Sequence, residues 1–525
     1  LVAAYSSDFP SVASLFAGNP ADSEAWTQAI TRVQQSPRDR AGISQVIAAQ
    51  LERRDAPALA RAAASQLADA STVAIVTGQQ AGLFGGPLYT LLKAVTAIRL
   101  ARKIAEAHGI AVIPVFWVEA EDHDWDEVRT ARVLDANLAL REITLDNLEG
   151  AGTRPVASLV LDDGIGDALG ALEAALPETE FTQELMARLR SHYRPGQRMG
   201  TAFACWLDDL LGRYGLVVFE AADPAAKPLV AALFTRELDA PCRTAQFAKQ
   251  TGEAMRALGH DPQVQPADDS VALFYLGDGA RHAIKRRDDG YALGDAVRPQ
   301  ASVRQEAAEH PEHFSPNVLL RPVVQDRLFP TICYVAGPSE LAYQAQLGAI
   351  YQDFGVEVPL LYPRANATLL DAAAVRFLEK YDLPFEALQQ HDESGLNRLL
   401  ESQLPPGVEL AMQAASEEIR ARLEVLKAAM PAIDPTLVGA AETTLERMQE
   451  TLKNLHNKII QASKRKDDTL RRQFTRTQAL AFPEGQPQER IVDLAFFLNR
   501  YGQSLCDRLL EGLPLEMGQH YVLQL

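Results

Sequence analysis

Cysteine is scarce in this sequence. Four thiols, Cys205, Cys242, Cys333 and Cys506, are spread over 525 residues with no C-x-x-C pair among them. That spacing argues against a disulfide framework or a zinc knuckle and fits a reducing, cytoplasmic setting. Long hydrophobic runs are missing too: the most apolar stretch, "IAVIPVFWV" (110–118), is too short to cross a bilayer. The opening "LVAAYSSDFPSVASLF" has neither a basic start nor a sustained apolar core, so it does not read as a signal peptide. Positive charge is in deficit. Lys plus Arg number 51 against 69 Asp plus Glu, and the net charge of −18 repels phosphate backbones and anionic membranes. The expectation is a cytoplasmic protein that handles small molecules, with no nucleic acid and no membrane as partner. One basic patch, "SKRKDD" (463–468) with "RRQFTR" (471–476), departs from that average and reads as a solvated helical face.

What is present is an ordinary globular composition, 47% hydrophobic and 23% charged, in a chain longer than one typical domain. The first seventy residues are Ala-rich and helical in period. "TVAIV" (72–76) then reads as a strand buried on both faces, because β-branched residues run on without alternating. A glycine-rich turn follows in "VTGQQAGLFGGPLYTLLKA" (76–94), then a helix to His108-Gly109, then the strand "IAVIPVFWV". Strand, helix, strand predicts a βαβ unit with a parallel sheet. Further buried strands come at "GLVVFEA" (215–221), "TICYVAG" (331–337) and "VEVPLLYP" (356–363). The gaps between them read as two insertions. The first carries alternating runs, "REITL" and "VASLVL", followed by helix; the second reads as antiparallel hairpins around "SVALFYL", "RHAIKRR" and "YALGDAV".

After residue 370 the pattern changes. Leu445, Met448, Leu452, Leu455, Ile459 and Ala462 repeat as a heptad seam, and Ile419, Leu423, Leu426 and Met430 form a shorter one upstream. "MPAIDP" (430–435) must break the helix between them, which predicts an antiparallel hairpin. The expected division is a Rossmann-like core at 1–128, 196–245 and 317–380, insertions at 129–195 and 246–316, a coiled coil at 381–482 and a return segment at 483–525.

Chemistry-bearing residues collect at the ends of predicted strands, where open α/β sheets bind ligands. In the glycine-rich turn, Gly78, Gly82, Gly85 and Gly86 allow close backbone approach, Gln79 and Gln80 can donate or accept, and Lys93 lies in the following helix. Either a structural turn or a ligand cradle would use such residues. In "WVEAEDHDWDEV" (117–128), Glu119, Glu121, Asp122, Asp124, Asp126 and Glu127 surround His123. If the strand continues, Glu119, Glu121 and His123 share one face. Histidine among carboxylates suits a general base, with a Mg²⁺ site as the rival reading. Arg321 and Arg327 flank Gln325 and Asp326, and Tyr362 and Arg364 leave the last strand. These arginines could clamp a carboxylate or phosphate.

Four motifs, "TGQQAGLFGGPLYTLLKA", "PVFWVEAEDHDWDEV", "LRPVVQDRLFPTICYVAGPSELAYQAQL" and "QERIVDLAFFLNRYG", resemble the BshC family of bacillithiol biosynthesis over nearly the whole chain. The resemblance implies a Rossmann-like core with two connecting-peptide insertions, similar in plan to class I aminoacyl-tRNA synthetases, and a coiled coil that pairs two chains as a homodimer. It implies a ligase joining L-cysteine to the amine of glucosaminyl-malate. Activation of the carboxylate suggests ATP with Mg²⁺, although the resemblance does not fix the role of the nucleotide. On these positions His123, Glu121, Asp122 and Lys93 are the catalytic candidates. Gly78, Gln79, Gln80, Gly82, Gly85, Gly86, Arg321, Gln325, Tyr362 and Arg364 are the binding ones, with Arg364 or Arg327 for malate. The family also suggests a second nucleotide site, for which Arg476, Arg490, Asn499 and Tyr501 are the candidates; no residue is expected to hold a resident metal. The alternatives are an adenylate-forming ligase or nucleotidyltransferase acting on another substrate, and a non-catalytic metabolite-binding scaffold.

Overall fold

The structure, a computed structural model, describes residues 1–288, 290–389, 394–403, 406–466 and 468–525. The side chains of 463–467 lie outside the described ones, and with them most of the "SKRKDD" patch. The chain divides into two compact units. One comprises Leu1–Thr368 and Glu489–Leu523 with Leu525; the other comprises Leu369–Gln488 with Gln524.

The first unit is built on a five-stranded parallel sheet. Its elements are β1 (Val73–Gln80), α1 (Tyr89–His108), β2 (Val112–Glu119), α2 (Met199–Leu211), β3 (Val217–Glu220), α3 (Arg321–Leu328), β4 (Thr331–Ala336), α4 (Pro338–Gln344) and β5 (Leu360–Pro363). The strand order is β5-β4-β1-β2-β3. Both faces are covered, which is why the strands are continuous apolar runs. Ala74 and Val76 enter one core with Trp117, Phe219 and Tyr334, while Val73 and Ile75 enter the other with Trp26, Leu100 and Val335. The chain winds outward from β1 through β2 to β3, then returns to lay β4 on the other side of β1. The winding reverses between β1 and β4, the place where open α/β sheets leave a crevice above their strand ends.

The chain leaves this sheet twice. After β2 it forms a hairpin, Thr130–Leu134 with Leu140–Thr144, and two helices, Gly164–Ala175 and Thr182–His192. "VASLVL", expected as an alternating run, is instead a 3₁₀ turn at Val156–Ser158 with a single bridge from Val160 to Arg198. After β3 comes a second, antiparallel sheet of Ser270–Tyr275, His282–Arg287, Gly290–Leu293 and Ala296–Pro299, completed by Phe314–Pro316.

In the second unit, helices Pro406–Ala429 and Leu437–Lys466 reverse direction through a 3₁₀ turn at Met430–Ala432. Lys427 pairs with Glu442 at 2.7 Å and His456 lies 3.2 Å from Glu409, cross-links that only an antiparallel register permits. Leu470 and Phe474 add buried apolar contacts, the latter against Phe377.

The turn between β1 and α1 is tightly packed. Trp206 of α2 donates its indole N–H to the Phe84 carbonyl at 3.0 Å. Gly85 has φ +107°, and a Cβ there would lie 2.9 Å from the Trp206 Nε1. Gly85→Ala should therefore combine backbone strain with overpacking and cost about 2–4 kcal/mol. Gly152→Ala, at φ +77° with nothing within 4 Å, should cost only about 1 kcal/mol. Urea denaturation of both variants checks the contrast.

Candidate functional site

A cleft of about 590 Å³ opens above the carboxyl ends of β1 and β4, where the winding reverses. Gly78, Gln79 and Gln80 reach it as the last residues of β1. Gly78 sits opposite Trp117 in the parallel ladder, and a Cβ there would meet the Trp117 carbonyl oxygen at 2.8 Å. Glycine is required at this point to keep β1 and β2 together.

Lys93 reaches the same point from the second turn of α1. It is 3% exposed. It donates to the Gly78 carbonyl at 2.8 Å and to Gln79 Oε1 at 2.9 Å, and pairs with Glu340 Oε2 at 2.5 Å. Burial pushes the Lys93 ammonium down, and Glu340 counters it. Glu340 opens α4, where it caps the Gly337 amide at 2.7 Å and accepts from the Tyr334 hydroxyl at 2.7 Å. Burial works against its charge, yet Lys93 and these donors hold it below the usual carboxylate range.

The other walls carry further ion pairs. Arg321 donates to the Tyr343 hydroxyl and lies 3.7 Å from Glu119. Arg364 grips Glu489 bidentately at 3.0 and 2.7 Å. From the second insertion, Arg281 stacks on Phe274 with its guanidinium 3.5 Å from the ring centroid and meets Asp122 at 3.0 Å. The same Arg281 nitrogen is 3.1 Å from His123 Nδ1, which also lies 3.1 Å from Asp122. When Nδ1 carries a proton it donates to Asp122; when it does not, it accepts from Arg281. His123 faces a shallower depression beside the cleft rather than the cleft itself.

The sequence candidates therefore separate. Gly78, Gln79, Gln80, Lys93, Asp122, Arg321 and Arg364 come together in the cleft, and Arg490 joins them. β2 stops at Glu119, so the alternation expected to align Glu119, Glu121 and His123 does not extend. Glu121 is buried and paired with Lys227, away from the cleft. Gly82, Gly85 and Gly86 shape the packed turn and do not line the cleft. Gln325 is buried against Asp326 at 3.0 Å. Arg327 donates to the Pro37 carbonyl at 3.0 Å, and the Tyr362 hydroxyl to that of Leu515. Asn499 spends its amide on Pro177 and Thr182, each at 2.8 Å. Tyr501 ends its helix with Arg500 5.8 Å from its ring, and Arg476 belongs to the second unit, where it clamps Asp371. Tyr89 and Arg281 also line the cleft and were not among the sequence candidates, and Glu340 was read there only as helix-start chemistry. Glu340 had a signal, a glutamate three residues past a helix start, but that signal reads equally as a cap.

Three of the four carboxylates lining the cleft, Glu119, Asp122 and Glu340, each face a basic side chain, which leaves Glu127 alone and no assembled Mg²⁺ ligand set. Among the described residues, one trio of metal-ligating types, His310, Glu312 and His313, lies together, outside the cleft lining. A second cavity, about 700 Å³, borders the ends of β2 and β3 beside Arg54, Arg194, Thr201, Cys205 and Glu220. Its Cys205 thiol is pushed up to about 11 by burial and is not a thiolate near neutral pH.

Residues 1–365 match the family described as "Bacillithiol biosynthesis BshC, N-terminal Rossmann-like domain", and residues 367–525 match "Bacillithiol biosynthesis BshC, C-terminal coiled-coil domain". The chain belongs to the BshC family. A relative from Salinibacter ruber, named "Putative cysteine ligase BshC", is 34% identical over 523 residues, covering 99% of this chain and 95% of its own. Relatives of the same name from Koribacter versatilis and Chlorobaculum tepidum are 34% and 32% identical, covering 84% and 93% of this chain and 81% and 89% of theirs. This BshC chain thus combines a Rossmann-like domain with a coiled-coil domain, and its parallel sheet and helical hairpin are the structural counterparts.

For this BshC member, Lys93→Met should destabilise by about 3–5 kcal/mol, since it strands Glu340 as a buried unpaired carboxylate. Lys93→Met with Glu340→Gln should restore a large part of the loss. A double-mutant cycle in urea measures it.

Proposed function

We propose that this enzyme, a ligase of the BshC family, joins the carboxylate of L-cysteine to the amine of glucosaminyl-malate in the cleft between β1 and β4, giving bacillithiol. The observation that carries the reading is the cleft itself. It has the volume of a metabolite site, lies at the reversal point of the sheet and is lined by charges of both signs. The names of the relatives supply the cysteine.

A carboxylate resists attack by an amine until one oxygen becomes a leaving group. We propose ATP as the source of that activation, accompanied by Mg²⁺ on its phosphates. Of the residues expected to hold phosphates, Lys93 has its three donors engaged and the Gly82–Gly86 turn lies outside the cleft lining, while Arg321 does line the cleft, with the Tyr343 hydroxyl and Glu119 as its neighbours. No step is therefore assigned to a preformed phosphate site. The attacking amine must give up a proton, and we propose His123 as the acceptor: it lies in the neighbouring depression, held by Asp122, which borders both the depression and the cleft.

The four cysteines are all free thiols, which supports a cytoplasmic setting, and no described helix is long and apolar enough to cross a membrane. The helical hairpin supports a homodimer. Its two arms leave Val425 69%, Leu426 52%, Met448 45% and Leu455 49% exposed, more apolar surface than a solvated hairpin needs.

Purified protein given L-cysteine, glucosaminyl-malate and ATP with Mg²⁺ should form bacillithiol by mass spectrometry, and omission of ATP should abolish it. Absence of product with all components present would overturn the reaction. Light scattering should give twice the 57.4 kDa chain mass, and Leu455→Asp should shift it to the monomer.

A further inference from the structure

Most charges in the cleft are already spent on one another. Lys93 faces Glu340, Arg281 faces Asp122, Arg321 faces Glu119 and Arg364 faces Glu489. Two charges remain. Arg490 lines the cleft, is exposed and has no carboxylate within ion-pair distance among the described residues. Glu127 lines it too, is exposed, and takes only a neutral hydrogen bond, from Gln80 Nε2 at 2.8 Å. Both act on Tyr89: burial raises the pKa of its hydroxyl, Glu127 adds to that rise, and Arg364 and Arg490 oppose it. The unmatched cation, the unmatched anion and Tyr89 all line this one cleft.

We propose that Glu127 and Arg490 are the substrate-reading pair of this cleft, Glu127 receiving an ammonium and Arg490 a carboxylate carried by one small molecule. The inference rests on the ligase reading above and adds how its substrate is selected. A ligand bearing only one of the two charges would leave the other protein charge unmatched at the site, a loss that discriminates more strongly than shape does. Paired charges cannot serve this way, because taking one of them for a ligand would strand its partner. Two molecules of the proposed reaction carry both groups: L-cysteine and glucosaminyl-malate.

The test is calorimetric binding to the full chain, in wild type, Glu127→Gln, Arg490→Gln and Arg490→Lys. The probes are L-cysteine, glucosaminyl-malate, N-acetylglucosaminyl-malate (no ammonium) and methyl glucosaminide (no carboxylate). Both positions are exposed, and thermal melts confirm that each variant is folded. At least one zwitterionic probe should lose about tenfold or more in affinity in each Gln variant, and the probe affected names the molecule read. For glucosaminyl-malate, the Glu127→Gln loss should vanish when the probe is N-acetylated, and the Arg490→Gln loss should vanish when malate is removed. Arg490→Lys should recover part of the affinity. Unchanged binding of both zwitterions in both Gln variants, or equal losses on charged and truncated probes, would overturn the inference while leaving the ligase reading intact. A wild-type protein that binds neither cysteine nor glucosaminyl-malate would overturn the ligase reading and this inference with it.

Discussion

Lys93 carries a full positive charge into a place with almost no water, at the point where the sheet reverses its winding. It survives there because its three donors are taken by the Gly78 carbonyl, the Gln79 amide oxygen and the Glu340 carboxylate. Gly78 and Gln79 end β1, Glu340 begins α4 after β4, and Lys93 itself belongs to α1. One ammonium therefore fixes the end of a strand, the start of a helix across the reversal and the helix between β1 and β2. The cost of burying these charges is offset only while all of them are present. The floor of the cleft is rigid for that reason, and its other ion pairs extend the same principle outward.

This arrangement separates scaffold from reading head. Charges that face each other inside the protein hold walls in place and are unavailable to a ligand without leaving a partner stranded. Charges at the rim with no partner are free to recognise something. Arg364 and Arg490 illustrate the difference. Arg364 is buried and gripped by Glu489, so it positions the wall; Arg490 lines the cleft, exposed, with no carboxylate at ion-pair distance among the described residues. Reading the sequence alone, the two arginines were assigned to different sites, and only the three-dimensional pairing shows what each can do.

The fold was legible to a large degree. The five core strands stand out because both faces of the sheet are covered, so that Val73 and Ile75 need apolar neighbours as much as Ala74 and Val76 do. The hairpins of the second insertion announced themselves through their Gly-Asp and Asp-Gly turns, and the helical hairpin through its heptads. "VASLVL" misled, because alternation in a short run does not distinguish an edge strand from a turn held by one bridge. The site was legible only in part. The cleft does lie at strand ends, yet period-two reasoning failed once β2 stopped at Glu119 and Glu121 turned inward to Lys227. Gly85 looked like a ligand cradle because positive φ serves a packed turn equally well. Arg281 could not be found at all, since it meets Asp122 across 159 positions of sequence, and no local pattern records such a meeting.

The central claim is the location of chemistry at the reversal point between β1 and β4. Diffraction from crystals of the protein grown with glucosaminyl-malate tests it most directly. The account predicts density for the ligand in the cleft floored by Gly78 and Gly337, within reach of Tyr89 and Arg490. Density confined to the other cavity, beside Arg54, Arg194 and Cys205, would contradict it.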